Sequence, residues 1–169
     1  MNNKNVDTAI NDCLTEFEQI SVLIGTVGAF SQMSKFLTLY SIIKATGVLE
    51  YSYKTIVVDY HNEASPQIRN YLDKMIRNSS KNPTLDNISS LLKGFDPSWN
   101  SAFKAQLNAH PDKDRLKQSL SSLNDNRNNF AHGQPCAASF ANIHSYFKDA
   151  VEIIKILDYI VVDNAVHNF

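Results

Sequence analysis

Residues that interrupt regular secondary structure are scarce in this chain. Only five glycines and five prolines occur among its 169 residues. Because a β-sandwich or barrel needs frequent turns, this scarcity argues against such a fold and favours long helices. Charged residues make up 20% of the chain and apolar residues 43%, which is typical of globular proteins and argues against disorder. The whole chain, residues 1–169, is therefore expected to form one domain with one core.

The chain also has few cysteines and no sequence pattern of metal ligands. Cys13 and Cys136 lie near opposite ends, and neither belongs to a CxxC or a Cys/His spacing. We expect two free thiols in a reducing compartment, without a metal or a cofactor. The longest apolar stretch is interrupted by Lys155 and Asp158, and the polar first residues do not resemble a signal peptide. These features predict a cytoplasmic protein with no membrane partner.

Charge of one sign is not in excess either. Sixteen basic and seventeen acidic residues leave a formal net charge of −1. The field of the whole protein therefore does not attract nucleic acid, and any such binding needs a local basic patch. One candidate for an RNA-backbone patch is the set Arg69, Lys74, Arg77 and Lys81, although such a set is more often a solvated face.

The spacing of apolar residues predicts six or seven helices and no convincing strand. Gly25 and Gly28 are expected to break the chain between the first two helices, and Gly133 and Pro135 to stop the penultimate one. The predicted helices cover residues 5–26, 31–62, 66–77, a short segment opened by Thr84 or Asp86, a segment opened by Asp96 and Pro97, 112–131 and 137–164. This pattern predicts an all-α fold, a single helical bundle.

The segment SLNDNRNNFAHG, residues 122–133, contains the residues that can do chemistry. On a helical wheel, Arg127 lies in the middle of an apolar stripe, between Leu123 and Phe130. Because a buried arginine is costly without a partner, a carboxylate, a second subunit or an anion such as phosphate must receive it. Glu50 is the first candidate for that carboxylate, ahead of Asp125 and Asp149.

A polar strip lies beside that stripe. Asn124, Asn128 and His132 are spaced i, i+4 and i+8, which places them on one helix face. An imidazole can take a proton from a ribose 2′-hydroxyl, and a guanidinium can hold a phosphate in a fork and stabilise its developing charge. The same residues also suit an ordinary helix end, since asparagine tolerates left-handed conformations and Arg and His often occur five residues apart by chance.

The string RNNFAHG resembles the R-x4-H motif of HEPN domains, in which a polar residue follows the arginine. Arg127, Asn128 and His132 match the three motif positions, and the glycine that follows is also typical. The stretch LEYSYKTIV, residues 49–57, resembles the second long helix of the bacterial RiboL-PSP-type subgroup, in which Glu50 takes the place of an acidic residue. The resemblance spans most of the chain and is specific around residues 124–133.

This resemblance implies an all-helical, metal-independent endoribonuclease with Arg127, Asn128 and His132 as catalytic residues, supported by Glu50 and Asn124. It also implies a homodimer in which two motifs share one cleft, and an RNA substrate. Many such domains act as toxins or antiviral-defence effectors, so an antitoxin or a defence-system partner is expected. The alternatives are a non-catalytic HEPN module that dimerises and binds a partner, and a regulatory subunit.

The remaining histidines are not expected to be catalytic. His61 is interpreted as a surface or capping residue, and His110, which precedes Pro111, as part of a turn. His144 and His167 are placed on the last helix without a partner motif. Five aromatic residues could stack on bases but recur at helical spacing and are interpreted as core: Tyr51, Tyr53, Tyr60, Tyr71 and Trp99.

Overall fold

Seven α-helices account for most of the described part of the chain. A computed structural model describes residues 1–163, and His167 and the predicted helix end at residue 164 lie outside them. The helices are α1 Lys4–Val27, α2 Gln32–Asp59, α3 Pro66–Leu72, α4 Leu85–Phe95, α5 Pro97–Ala109, α6 Lys113–Ala131 and α7 Phe140–Asp163. Within residues 1–163 no strand occurs, so the predicted all-α bundle is confirmed.

Short polar side chains start most of these helices. Ser65 accepts a hydrogen bond from the backbone N–H of Ile68, with Pro66 at the first helical position as the sequence predicts. Thr84, rather than Asp86, caps α4. The same kind of cap is formed by Asn3 on α1, by Ser31 on α2 and by Asp96 on α5.

Three predicted helix boundaries need correction. Gly25 lies inside α1, and the helix ends instead at Gly28, whose φ of 88° favours glycine. The third predicted helix is α-helical only as far as Leu72, and Asp73–Arg77 continue it as a π-helix. Helix α7 begins at Phe140, three residues later than predicted, because residues 134–139 have no regular secondary structure.

The core lies where α2, α6 and α7 meet. Helix α7 packs against both α2 and α6, α1 covers α2, and α4 and α5 pair with each other beside α7. Large apolar side chains from four of these helices are buried there, among them Phe17, Leu49, Leu123 and Phe147. The bundle therefore holds α6 firmly through its first half, which positions the motif at its carboxyl end.

The tip of the α1–α2 hairpin is an exception to this burial. Phe36, Tyr40 and Ile43 follow the helical rhythm of apolar residues, yet all three are exposed. Other exposed apolar residues at the same tip are Val22, Leu23, Val27, Phe30 and Met33. These residues are not part of the core, because α1 covers only one side of α2. Of the aromatic residues interpreted as core, Tyr53 and Trp99 are buried, whereas Tyr51, Tyr60 and Tyr71 are exposed.

Both cysteines are free thiols in the structure, as the sequence predicts. Cys13 is buried in the core, and this burial raises the pKa of its thiol to about 12, so the thiolate that reacts is scarce.

Among residues 1–163, no helix has both the length and the apolar character needed to cross a membrane.

A charged network ties the amino terminus to the π-helix. Arg77 donates from Nη2 to Asp59 Oδ1 at 2.7 Å and from Nε to Asp73 Oδ1 at 2.8 Å. The side-chain amides of Asn3 and Asn5 donate to Asp59 Oδ2, each at 3.0 Å. Partial burial alone would raise the pKa of Asp59, but the hydrogen bonds from Arg77, Asn3 and Asn5 outweigh it and lower that pKa.

Asp59→Asn should reduce the free energy of unfolding by about 1.5–3 kcal/mol at pH 7, the worth of hydrogen bonds to a charged group. Because the folded-state pKa of Asp59 is lowered, its contribution is present above its ordinary value of 3.8 and is lost as the pH falls through the folded value. The difference in free energy of unfolding between variant and wild type, measured with urea, should therefore narrow below about pH 4. Asp73→Asn, which removes a more exposed partner of the same arginine, is the control and should cost under about 1 kcal/mol. If Asp59→Asn loses the same free energy of unfolding at pH 3 as at pH 7, the ionised Asp59 carboxylate is not the source of this stability.

Candidate functional site

Helix α6 carries the motif out of the core and onto the surface. Its apolar stripe is buried at Leu116, Leu120 and Leu123, as predicted, but Phe130 is 41% exposed. Arg127 lies between these two regions and is half-buried. The predicted burial of the stripe is thus correct up to Leu123 and wrong beyond it, and the guanidinium of Arg127 lies at the edge of the core.

The polar strip is present as predicted, and its exposure increases along the helix. Asn124 is buried, Asn128 is half-buried and His132 is exposed. His132 ends α6, its backbone N–H donates to the Asn128 carbonyl at 3.0 Å, and Gly133 follows with a φ of 69°. The helix end therefore presents the imidazole to solvent while holding its backbone next to Asn128.

The hydrogen bonds of Asn128 fix the orientation of its amide. Asn82 Nδ2 donates to Asn128 Oδ1 at 3.0 Å, and Arg127 Nη1 approaches the same oxygen at 3.4 Å. Because a guanidinium can only donate, the atom of Asn128 that faces it must be the oxygen. Asn128 Nδ2 forms no hydrogen bond within residues 1–163, so it can donate to a ligand.

Asn82 is a residue that the sequence reasoning missed. It lies in the loop over residues 78–83, between the π-helix and α4, and contacts α6 from 46 positions away. The adjacent Pro83 carbonyl accepts from Asn124 Nδ2 at 3.1 Å. The loop therefore orients both asparagines of the strip, and neither periodicity nor a motif in the sequence signals this contact.

The predicted pair between Glu50 and Arg127 does not form. Its Oε1 accepts from Lys54 Nζ at 2.5 Å and from the backbone N–H of Lys81 at 2.8 Å. Lys54 lies one turn along the same helix and is only 2% exposed, so its ammonium needs this carboxylate. Asp125 and Asp149 are not partners of Arg127 either. Asp125 accepts a hydrogen bond from Ser121, and Asp149 contacts Ser119 and Arg115. Within residues 1–163, no carboxylate forms an ion pair with Arg127.

Helix α2 nevertheless supports the site through the same loop. The Lys54 ammonium donates to the Ser79 carbonyl, and Tyr53 Oη donates to the Lys81 carbonyl at 3.1 Å. Together with Glu50, these residues hold the side of the loop opposite to the one that contacts α6. Glu50 therefore contacts the loop rather than the guanidinium, and its supporting role at the site stays a prediction.

The candidate basic patch does not form one free surface. Arg77 is already engaged by Asp59 and Asp73, and a role for it in RNA binding stays a prediction. Arg69 and Lys74 are exposed on α3 and on the π-helix, whereas the exposed Lys81 belongs to the loop next to Asn82. Of the four residues, Lys81 lies closest in sequence to Asn82, which contacts Asn128 of the motif.

The other described histidines are held by structural contacts. His61, interpreted from the sequence as a surface or capping residue, is partly buried. Its ring stacks on that of Phe95, with the ring centroids 5.0 Å apart, and contacts Tyr60 and Trp99. His144 lies against Phe17, and burial lowers the pKa of both imidazoles. His110 Nδ1 accepts from the Asp112 backbone, in agreement with its predicted place in a turn.

Metal ligands are not clustered in the described part of the chain. Among residues 1–163, no group of three or more His, Cys, Asp or Glu side chains is arranged to hold a metal ion. The chemistry that this site offers with its own side chains consists of proton transfer by an imidazole, anion binding by a guanidinium and hydrogen-bond donation by an amide.

Comparison with known proteins gives one finding. The sequence matches the family described as RiboL-PSP-HEPN over residues 8–163, which is most of the chain. No curated protein and no solved structure matches it.

Lys54→Met should loosen the loop over residues 78–83, because it leaves Glu50 and the Ser79 carbonyl without their buried cation. We expect the free energy of unfolding to fall by about 3 kcal/mol or more, the typical cost of breaking a buried ion pair. We also expect the Lys81 amide, which bonds to Glu50, to exchange its hydrogen at least tenfold faster. Lys44→Met removes a partly exposed pair with Glu16 and serves as the matched control. Unchanged protection of the Lys81 amide would show that α2 does not hold the loop.

Proposed function

The chain belongs to the RiboL-PSP-HEPN family, and we propose that it is a metal-independent endoribonuclease with Arg127, Asn128 and His132 as its catalytic residues. The arrangement at the end of α6 is the observation that supports this most. A guanidinium without a carboxylate partner in the described residues, an amide with a free donor and an exposed imidazole occur within six residues. These groups match the anion and the proton transfers of phosphodiester cleavage.

In the proposed reaction, the imidazole of His132 takes the proton of a ribose 2′-hydroxyl. The 2′-oxygen then attacks the adjacent phosphorus while the bond from phosphorus to the 5′-oxygen breaks. A protonated imidazole gives its proton to that leaving oxygen. The products are one RNA fragment with a 2′,3′-cyclic phosphate and another with a 5′-hydroxyl, so neither water nor an electron acceptor is consumed.

Arg127 and Asn128 hold the phosphate during this reaction. The guanidinium binds the non-bridging oxygens and stabilises the negative charge that grows on them in the transition state. Asn128 Nδ2 donates to the same group, since its oxygen is already engaged by Asn82 and Arg127. Asn82 is a positioning residue in this scheme, because it contacts Asn128 and not the phosphate.

We propose that the protein acts as a homodimer. One imidazole cannot readily serve as base and acid on opposite sides of the same phosphorus, whereas two copies of His132 can. The half-buried Arg127 and the exposed Phe130 give the end of α6 a surface that a second copy can cover. A single-stranded loop of RNA is the proposed substrate, because its 2′-hydroxyl can reach in-line geometry.

The proposed biological setting is growth arrest in the cytoplasm. A toxin or an antiviral-defence effector that cuts RNA needs no long basic groove, which agrees with a net charge of −1. An antitoxin or a defence-system protein would then restrain the site. If neither the wild type nor any variant cuts RNA, a non-catalytic HEPN binding module becomes the better description.

His132→Ala should reduce RNA cleavage by about 10²–10⁴-fold, the usual contribution of acid–base catalysis. Because His132 is exposed, the variant should unfold at the same urea concentration as the wild type. The assay uses single-stranded RNA with a chelator present and identifies 2′,3′-cyclic phosphate ends. Asn129→Ala, an exposed neighbour outside the strip, is the matched control and should cut normally. Equal cleavage by His132→Ala and the wild type would disprove the proposed role, as would rapid cutting of RNA with 2′-deoxyribose at the scission site.

Asn82→Asp should impair cleavage more than Asn82→Ala does. An aspartate at this position cannot donate to Asn128 Oδ1, so the amide of Asn128 turns and presents its oxygen to the phosphate. A position with only a structural role would give the opposite order, because alanine removes more contacts than the isosteric aspartate. In an Asn128→Ala background the two Asn82 variants should cut equally slowly. A persistent difference in that background would show that Asn82 acts on something other than Asn128.

A further inference from the structure

A cavity of about 390 Å³ opens beside the motif, between the start of α4 and the adjacent face of α6. Leu85 and Asp86 line it from α4, and Asn124, Asp125 and Asn128 line it from α6. Two of these residues, Asn124 and Asn128, also belong to the polar strip that ends at His132. The cavity is therefore continuous with the proposed active site, and its volume is in the range of small-molecule sites.

The acceptors that line this cavity include two carboxylates and one unpaired amide oxygen. Asn124 uses its amide nitrogen to donate to the Pro83 and Leu120 carbonyls, and its Oδ1 is buried with no partner among the described residues. Since Asn124 as a whole is only 4% exposed, this oxygen is a costly atom to leave unpaired. It marks a place where a ligand that brings a donor would be stabilised.

The charges that line the cavity disfavour a phosphate. Asp86 and Asp125 are both exposed carboxylates at the cavity wall. Lys117, the cation that also lines the cavity, donates to Asn108 Oδ1 at 2.7 Å. An anionic group would face two negative charges, whereas a neutral group with N–H donors would find several acceptors. Leu85 adds an apolar wall against which a flat ring can pack.

We propose that this cavity is the nucleobase subsite of the enzyme and that it selects bases carrying an exocyclic amine over uracil. The proposal rests on the proposed function, since it assigns the base next to the phosphate held by Arg127 and Asn128. Adenine, cytosine and guanine each offer an amino group to Asp86, Asp125 or Asn124 Oδ1. Uracil instead has a carbonyl oxygen on each side of its single ring N–H, and these oxygens repel the carboxylates.

The test measures cleavage of single-stranded RNAs that differ only in the base on either side of the cut. At one of these positions, the kcat/KM of the wild type for uracil should be at least tenfold below that for each of the other bases. Asp86→Asn and Asp125→Asn bring a donor into the cavity. Each should reduce the ratio of kcat/KM for the other bases to kcat/KM for uracil to threefold or less. A purely structural effect would lower the rate for all four bases equally. Asp114→Asn, an exposed residue of α6 outside the cavity, should leave the ratio unchanged.

A second measurement separates this proposal from the ribonuclease itself. The nucleoside monophosphates AMP, CMP, GMP and UMP are titrated into the protein while the side-chain amide signals of Asn124 and Asn128 are followed by NMR. If the wild type cuts no RNA but binds the three amino-bearing nucleotides more tightly than UMP, the subsite is supported and the proposed cleavage fails. Cleavage without base preference, or a preference that survives in both aspartate variants, overturns the subsite and leaves the ribonuclease intact. Absence of both cleavage and nucleotide binding overturns both proposals.

Discussion

The buried ion pair between Lys54 and Glu50 is the interaction on which the site depends. The ammonium is almost fully removed from water, and it is stabilised only because it meets a carboxylate and the Ser79 carbonyl together. Both acceptors lead to the loop over residues 78–83, Ser79 directly and Glu50 through the Lys81 amide. A charge buried in α2 thus fixes a loop that has little regular structure of its own.

From that loop the constraint passes to α6. Asn82 and Pro83 contact two asparagines on successive turns, so the strip that ends at His132 is held from outside the helix. The last turn of α6 has left the core, as the exposure of Phe130 shows, and core packing alone would not orient these side chains. The contacts of the loop take over this task where the apolar stripe ends.

The sequence predicted the helices well because their signals are local. Caps such as Ser65 and Thr84 and the rhythm of buried leucines in α6 depend only on neighbouring residues. The positions of Asn124, Asn128 and His132 on one helix face were predictable for the same reason. The contact from Asn82 and the true partner of Glu50 were not, because both depend on how α2, the loop and α6 pack together. Nor does helical spacing reveal which apolar residues of α2 lack a covering neighbour.

The central claim is that two copies of the α6 terminus form one catalytic cleft, and subunit mixing tests it most directly. His132→Ala protein and the wild type are unfolded together in varied ratios, refolded as mixtures and assayed on RNA. The account predicts that cleavage falls with the square of the wild-type fraction, since a mixed dimer holds only one of the two imidazoles that the shared cleft uses. Cleavage that falls only in proportion to the wild-type fraction, in mixtures where native mass spectrometry verifies mixed dimers, would contradict a shared cleft.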